Sequence, residues 1–253
     1  MVAIFVHIKF TLTKSSIYKL RMLLFLALLP VPYHAMAQAP RIDSLWQVWQ
    51  DESLPDSNRY DAIHAIAWKG YMFSQPDSAF YYAQLHFDRA ERDGNQEEMA
   101  LALNIQGVSW HVRSQYDQAL TYYERSKTIK EALGDLGGKA ATLGNMALIH
   151  SDQGNFDEAL RQFESCLAIQ KSIGDKRGMT NTLNNMANIY DERGDFATAI
   201  GLFTQNIALQ EEIGHVNGMA ASFNNIATIY QSQGDLEQAL NYAEKSLALK
   251  EQT

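Results

Sequence analysis

The chain has 253 residues, 46% hydrophobic and 20% charged, with a formal net charge of −8, which is the composition of a globular protein rather than a disordered or fibrous one. Its single cysteine, Cys166, excludes an internal disulfide and a cysteine-based zinc cluster. An acidic surface repels phosphate backbones and anionic lipid, so neither nucleic acid nor a membrane surface is an expected partner.

The chain opens with a leader. Lys14, Lys19 and Arg21 precede an apolar run from Met22 to Val31, and Ala35-Met36-Ala37 supplies the small-x-small pattern that a signal peptidase accepts. Residues 1–37 therefore read as a secretory signal peptide cleaved before Gln38. The apolar run is too short to cross a hydrocarbon core, which needs about 20 residues. The apolar "MVAIFVHI" ahead of the basic stretch is foreign to such a leader, and a start codon further downstream is the alternative. Cleavage removes Lys9, Lys14, Lys19 and Arg21 and no acid, leaving 17 Lys and Arg against 29 Asp and Glu, a net charge of −12. No cysteine stands at the cleavage point to carry a lipid, and no later stretch is apolar enough to span a membrane. The expected location is exported, in a periplasm or outside the cell. Within the next segment, 38–58, "IDSLWQVWQ" is expected to form a short capping helix with Trp46 and Trp49 on the first repeat.

From residue 59 onward the chain repeats itself. Shifted by forty, Ala79, Ala119, Ala159, Ala199 and Ala239 fall into one column; Gly94, Gly134, Gly174 and Gly214 make a second. Gly154, Gly194 and Gly234 make a third, with Ser74 and Ser114 in the same position earlier. Residues 177–213 and 217–253 share 13 identities in 37 positions without a gap. A period of this length marks a stacked array. The units run 59–96 (degenerate), 97–136, 137–176, 177–216 and 217–253.

Each unit reads as two helices. In 177–216, Leu183, Met186, Ala187 and Tyr190 recur at helical spacing. Gly194 ends that helix, because glycine accepts the left-handed conformation that closes one. Asp195 follows as N-cap, with Asn155 and Asp235 in its column. Ala199, Ile200, Phe203, Ile207 and Ile213 form the second apolar face, and Gly214 closes it. Small residues such as Ala187 and Ala199 are expected where the paired helices touch. A lone pair cannot bury both faces, so the units must stack.

These columns resemble the tetratricopeptide repeat. The family pattern of hydrophobe, small residue and aromatic, then alanine, aromatic and small residue, is met by Leu183, Ala187, Tyr190, Ala199 and Phe203. Leu143, Ala147, His150, Ala159, Phe163 and Cys166 match it in the preceding unit. Phe223, Ala227, Tyr230, Ala239 and Ser246 match it in the last, and Leu103, Gly107, Trp110, Ala119, Tyr123 and Ser126 in the first full one. In the degenerate unit Ala67, Ala79, Tyr82 and Gly94 remain. The usual period is thirty-four, and the proline that usually ends the second helix is missing here. Both differences follow if each unit is about a turn and a half longer, as in kinesin light chains and bacterial peptide-sensing regulators. The resemblance implies an all-α fold, a right-handed α-solenoid of antiparallel helix pairs, whose first helices line a concave face.

No catalytic constellation stands out. His64, His86, His111, His150 and His215 do not pair at i, i+4 on one helix, so no metal site is expected. His150 and Cys166 occupy packing columns, the glycines end helices singly rather than cradling a phosphate, and the carboxylates fall on solvated faces. Neither an enzyme nor a cofactor is expected.

The concave columns favour binding. One reads Asn145, Asn185, Asn225; the position before it reads Asn104, Gly144, Asn184, Asn224. Further along lie Asn188 and Thr228, then Ser151, Asp191 and Gln231. Amides donate and accept together, so such a ladder suits the backbone of an extended peptide. The alternative is that these amides bond neighbouring helices or each other and fix the stacking. Concave lysines and arginines that would grip a C-terminal carboxylate are lacking. Asp152, Asp191 and Glu192 favour a neutral or basic segment. The array stops inside a second helix, leaving Leu247 and Leu249 without a covering unit. That arrangement is expected either to self-associate or to continue into a longer protein. The second case would make the chain the exported sensor region of a bacterial signalling protein, with a kinase, cyclase or DNA-binding output domain beyond Thr253.

Overall fold

The computed structural model describes residues 42–251, so the leader expected at 1–37 lies outside the described residues. All regular structure among the described residues is helical. Helix α1 (Ile42–Gln50) leads into α2 (Asp56–Ala65), which passes without a break into a π-helical turn at Ile66–Tyr71. Then follow α3 (Pro76–Asp93), α4 (Gln96–Val112), α5 (Tyr116–Leu133), α6 (Leu136–Asp152) and α7 (Phe156–Ile173). The array closes with α8 (Lys176–Glu192), α9 (Phe196–Glu212), α10 (Val216–Gln233) and α11 (Leu236–Lys250). None of these helices is long and apolar enough to cross a membrane.

Local chemistry sets the helix ends. Asn95, Asp135, Asp175, Asp195 and Asp235 each accept a backbone N–H three residues ahead, which satisfies one of the orphan donors at a helix start. Asn155 was expected to cap α7 in the same way and does not; its amide donates to Gln153 Oε1 at 3.4 Å instead. From α3 onward the chain reverses between helices through a left-handed residue. Ser114 takes that conformation with φ 60° although it is not glycine. Ser74, which shares its column, is not left-handed. There the π turn shifts the register of the first helix, and Pro76 starts the next.

Packing is between sequence neighbours: each helix lies on the one before and the one after it. The alanine column does what its size requires. Ala79, Ala119, Ala159 and Ala199 are fully buried, each beneath the first helix of its own unit. Core clusters then straddle units. Ala187, Ala199 and Phe203 pack with Ile226 and Ile229 of the next unit, and Ala147, Ala159 and Phe163 pack with Met186 and Ile189. At the start of the array, Trp46 of α1 meets Tyr82 edge-on with ring centroids 5.7 Å apart. Trp49 lies 6.4 Å from Tyr60, beneath the Arg59 guanidinium. At the other end Leu236, Leu240 and Leu247 are exposed, because α11 has no following unit packed on it among the described residues.

Candidate functional site

The first helices of the last three units, α6, α8 and α10, line a groove with a cavity of about 620 Å³. Its floor is made of small residues, among them Gly137, Ala141, Gly144, Gly218 and Ala221. Its polar groups are mainly carboxamides: Asn145, Asn181, Asn184 and Asn185 from the first helices, Gln170 from α7, and Asn206 and Gln210 from α9. No lysine or arginine lines it. The one carboxylate, Asp175, is already occupied in capping α8 through the Gly178 N–H at 2.8 Å.

Of the expected site residues, the structure brings Asn145, Asn184 and Asn185 into this cavity. Asn188, Asn224, Asn225 and Asp191 are not in its lining, and Asn188 and Asn224 are exposed. The amides do not form one continuous ladder. Asn145 Nδ2 donates to Asn104 Oδ1 at 3.1 Å, and Asn225 Nδ2 donates to Asn184 Oδ1 at 3.5 Å. Each of these bonds joins one unit to the next, which is the stacking role weighed above. Asn185 should reach back to residue 144 by the same rule, but that residue is Gly144 and offers no side chain. Asn185 is therefore the one member of its column whose amide makes no side-chain hydrogen bond among the described residues.

Beneath the groove runs a second set of columns, the first of which the sequence marks only as small packing residues and the structure shows to be hydrogen-bonded. Ser126, Cys166 and Ser246 donate to the carbonyl oxygens of Ala100, Ala140 and Ala220, at 2.8, 3.1 and 2.7 Å. Four residues further on, Lys130 donates to Thr142, while Gln170 and Gln210 accept from Thr182 and Ser222, tying each unit to its successor. Asn206 belongs to the first of these columns and breaks its rule. It is wholly buried, and neither Nδ2 nor Oδ1 has a partner. The signal in the sequence was the departure of Asn206 from a column of small residues.

Cys166 is a packing residue. Burial pushes its thiol pKa up, which keeps it protonated and unreactive. Iodoacetamide at about pH 8 is expected to leave it unmodified in the native protein and to alkylate it fully in denaturant, as read by mass spectrometry; rapid native labelling would contradict this placement. The histidines are scattered: His86 pairs with Glu98 at 2.7 Å and His111 with Asp152 at 2.8 Å, in different units. No group of three or more His, Cys, Asp or Glu that could hold a metal occurs among the described residues. At the C-terminal end of α8, burial pushes the Asp191 carboxyl up. Glu192 is raised by burial and by its acidic neighbours Asp191 and Asp152.

Comparison with known proteins gives the fold its family. No curated protein matches the sequence. Among solved structures, BtubC from P. vanneervenii is similar with a TM-score of 0.70 at 15% identity, covering 85% of this chain and 89% of that one. A putative kinesin light chain from Podosopora anserina is similar at 0.61 and 18% identity, covering 76% and 95%. A Rap protein complexed with competence and sporulation factor is similar at 0.61 and 14%, covering 83% and 70%. At such identities the likeness is one of fold. The tetratricopeptide repeat profile matches residues 98–172 and 178–252, more than half of the chain. On that match and the helical-pair solenoid described above, the protein belongs to the tetratricopeptide repeat family.

Proposed function

We propose that this protein is an exported scaffold that holds an extended peptide, or an extended segment of a partner protein, along the groove of α6, α8 and α10. The observation that carries this reading is the lining itself. The first helices of three successive units meet at one open cavity, α6 and α8 presenting amides and all three presenting small residues, and the Asn185 carboxamide is left unpaired within it. Carboxamides suit peptide backbone because they donate and accept at once. The Rap structure complexed with a named factor is a precedent for a fold of this type in a complex. The leader sequence supports export. The acidic balance, with Asp152, Asp191 and Glu192 at one end of the helices, supports a neutral or basic segment.

Binding of a panel of extended peptides, each with a free or an amidated C-terminus, tests the proposal. The protein is expected to bind members of the panel without regard to the C-terminal carboxylate. The Asn185→Ala variant is expected to bind about tenfold more weakly, the equivalent of one net amide hydrogen bond. Equal affinity of the two proteins would reject the groove as the recognition surface.

A further inference from the structure

Two residues at this groove lower the stability of the fold, and both line the same cavity. Gly144 lies inside α6, where glycine is less favourable than any residue with a Cβ apart from proline. Sterics do not demand it: a Cβ there would meet only Cys166 Sγ, at 3.8 Å, which is ordinary contact. What the glycine provides is empty space in the groove and the release of Asn185 from a stacking bond. Asn206 is the second. A buried amide with no partner is costly, and the serine found in its column in two other units would satisfy the carbonyl of Thr180 as Ser126 and Ser246 satisfy theirs. Unexplained costs of this kind collect at functional sites.

Resting on the groove reading above, the geometry points to a subsite at Gly144 that takes a neutral carboxamide side chain, glutamine or asparagine, of the bound peptide. An amide is the complement of an amide, since each donates one bond and accepts another. Asn185 is the first contact. Asn206, which lines the same cavity one unit further on with both amide atoms unpartnered, is the second after rotation of its own amide. A charged side chain is disfavoured because no lysine or arginine lines the cavity and the one carboxylate there, Asp175, is occupied, so its desolvation would go uncompensated. A purely apolar side chain would leave both carboxamides unpaired.

The probe is a library of heptapeptides blocked at both ends, retained on the immobilised protein and sequenced. The comparison is between the unaltered protein, Gly144→Asn and Asn206→Ser. The unaltered protein is expected to enrich glutamine or asparagine at one peptide position about tenfold. Gly144→Asn restores the missing tie to Asn185 and fills the space; Asn206→Ser removes the orphan amide. Each variant is expected to melt about 2–4 °C higher and to keep retaining peptides while losing the carboxamide preference. Three results would overturn the subsite: no preference in the unaltered protein, a preference surviving in Gly144→Asn, or variants that melt lower. If the unaltered protein retains no peptide at all, the groove reading falls with it; retention without preference removes the subsite alone.

Discussion

Replacing Phe203 by alanine is expected to cost about 3–5 kcal/mol and to unfasten the end of the array. The ring is 1% exposed and sits among Ala187 and Ala199 of its own unit and Ile226 and Ile229 of the next. It therefore supplies both the core of one helix pair and the surface on which α10 lies. In a stack where each unit touches only its neighbours, a loss at one junction is felt on the distal side of that junction first. Hydrogen exchange read by mass spectrometry should show α10 and α11 losing protection at low urea, with α3 to α5 little changed. A single transition in which all helices lose protection together would contradict the junction role.

Gly107→Ala should destabilise by about 1–3 kcal/mol, although the same change in an ordinary helix interior stabilises. A Cβ at this position would lie 2.5 Å from Tyr123 Cε1 and 2.6 Å from Cδ1, and the ring is fully buried. In the two following units alanine and an aromatic coexist at these positions, Ala147 with Phe163 and Ala187 with Phe203. Tyr123 differs by a hydroxyl that finds no partner. Adding Tyr123→Phe is thus expected to recover most of the loss, a favourable coupling measurable by a double-mutant cycle in urea. A rise in melting temperature on Gly107→Ala alone would refute the clash.

These two sites show what the sequence made legible. The alanine and aromatic columns are repeated sizes at repeated positions, so the helix pairs, their reversals and their stacking could be read from a shift of forty residues. Even the left-handed Ser114 was visible as a residue in a glycine column. Ser74 stands in the same column and does not take that conformation, because the π turn before it alters the local register, and only coordinates reveal such a turn. The groove was half legible. Asn145, Asn184 and Asn185 were marked by being asparagines inside helices, where they are poor formers. Which way each amide turns was hidden, because the bonds join residues forty-one apart, across columns rather than along one. Asn206 showed only as a break in a column of small residues: its importance lies in a partner it lacks, and pairing is a property of space.

The ties between asparagines also have a mechanical side. Asn104 with Asn145 and Asn184 with Asn225 act as stitches along the groove edge, fastening the first full unit to the second and the third to the fourth. Between the second and third, at Gly144 and Asn185, the stitch is absent, while the deeper tie from Thr182 to Gln170 remains at 2.9 Å. The array is therefore two stitched halves on a seam that is fastened at depth and open at the edge. Bending about that seam would open or narrow the groove without breaking either asparagine pair.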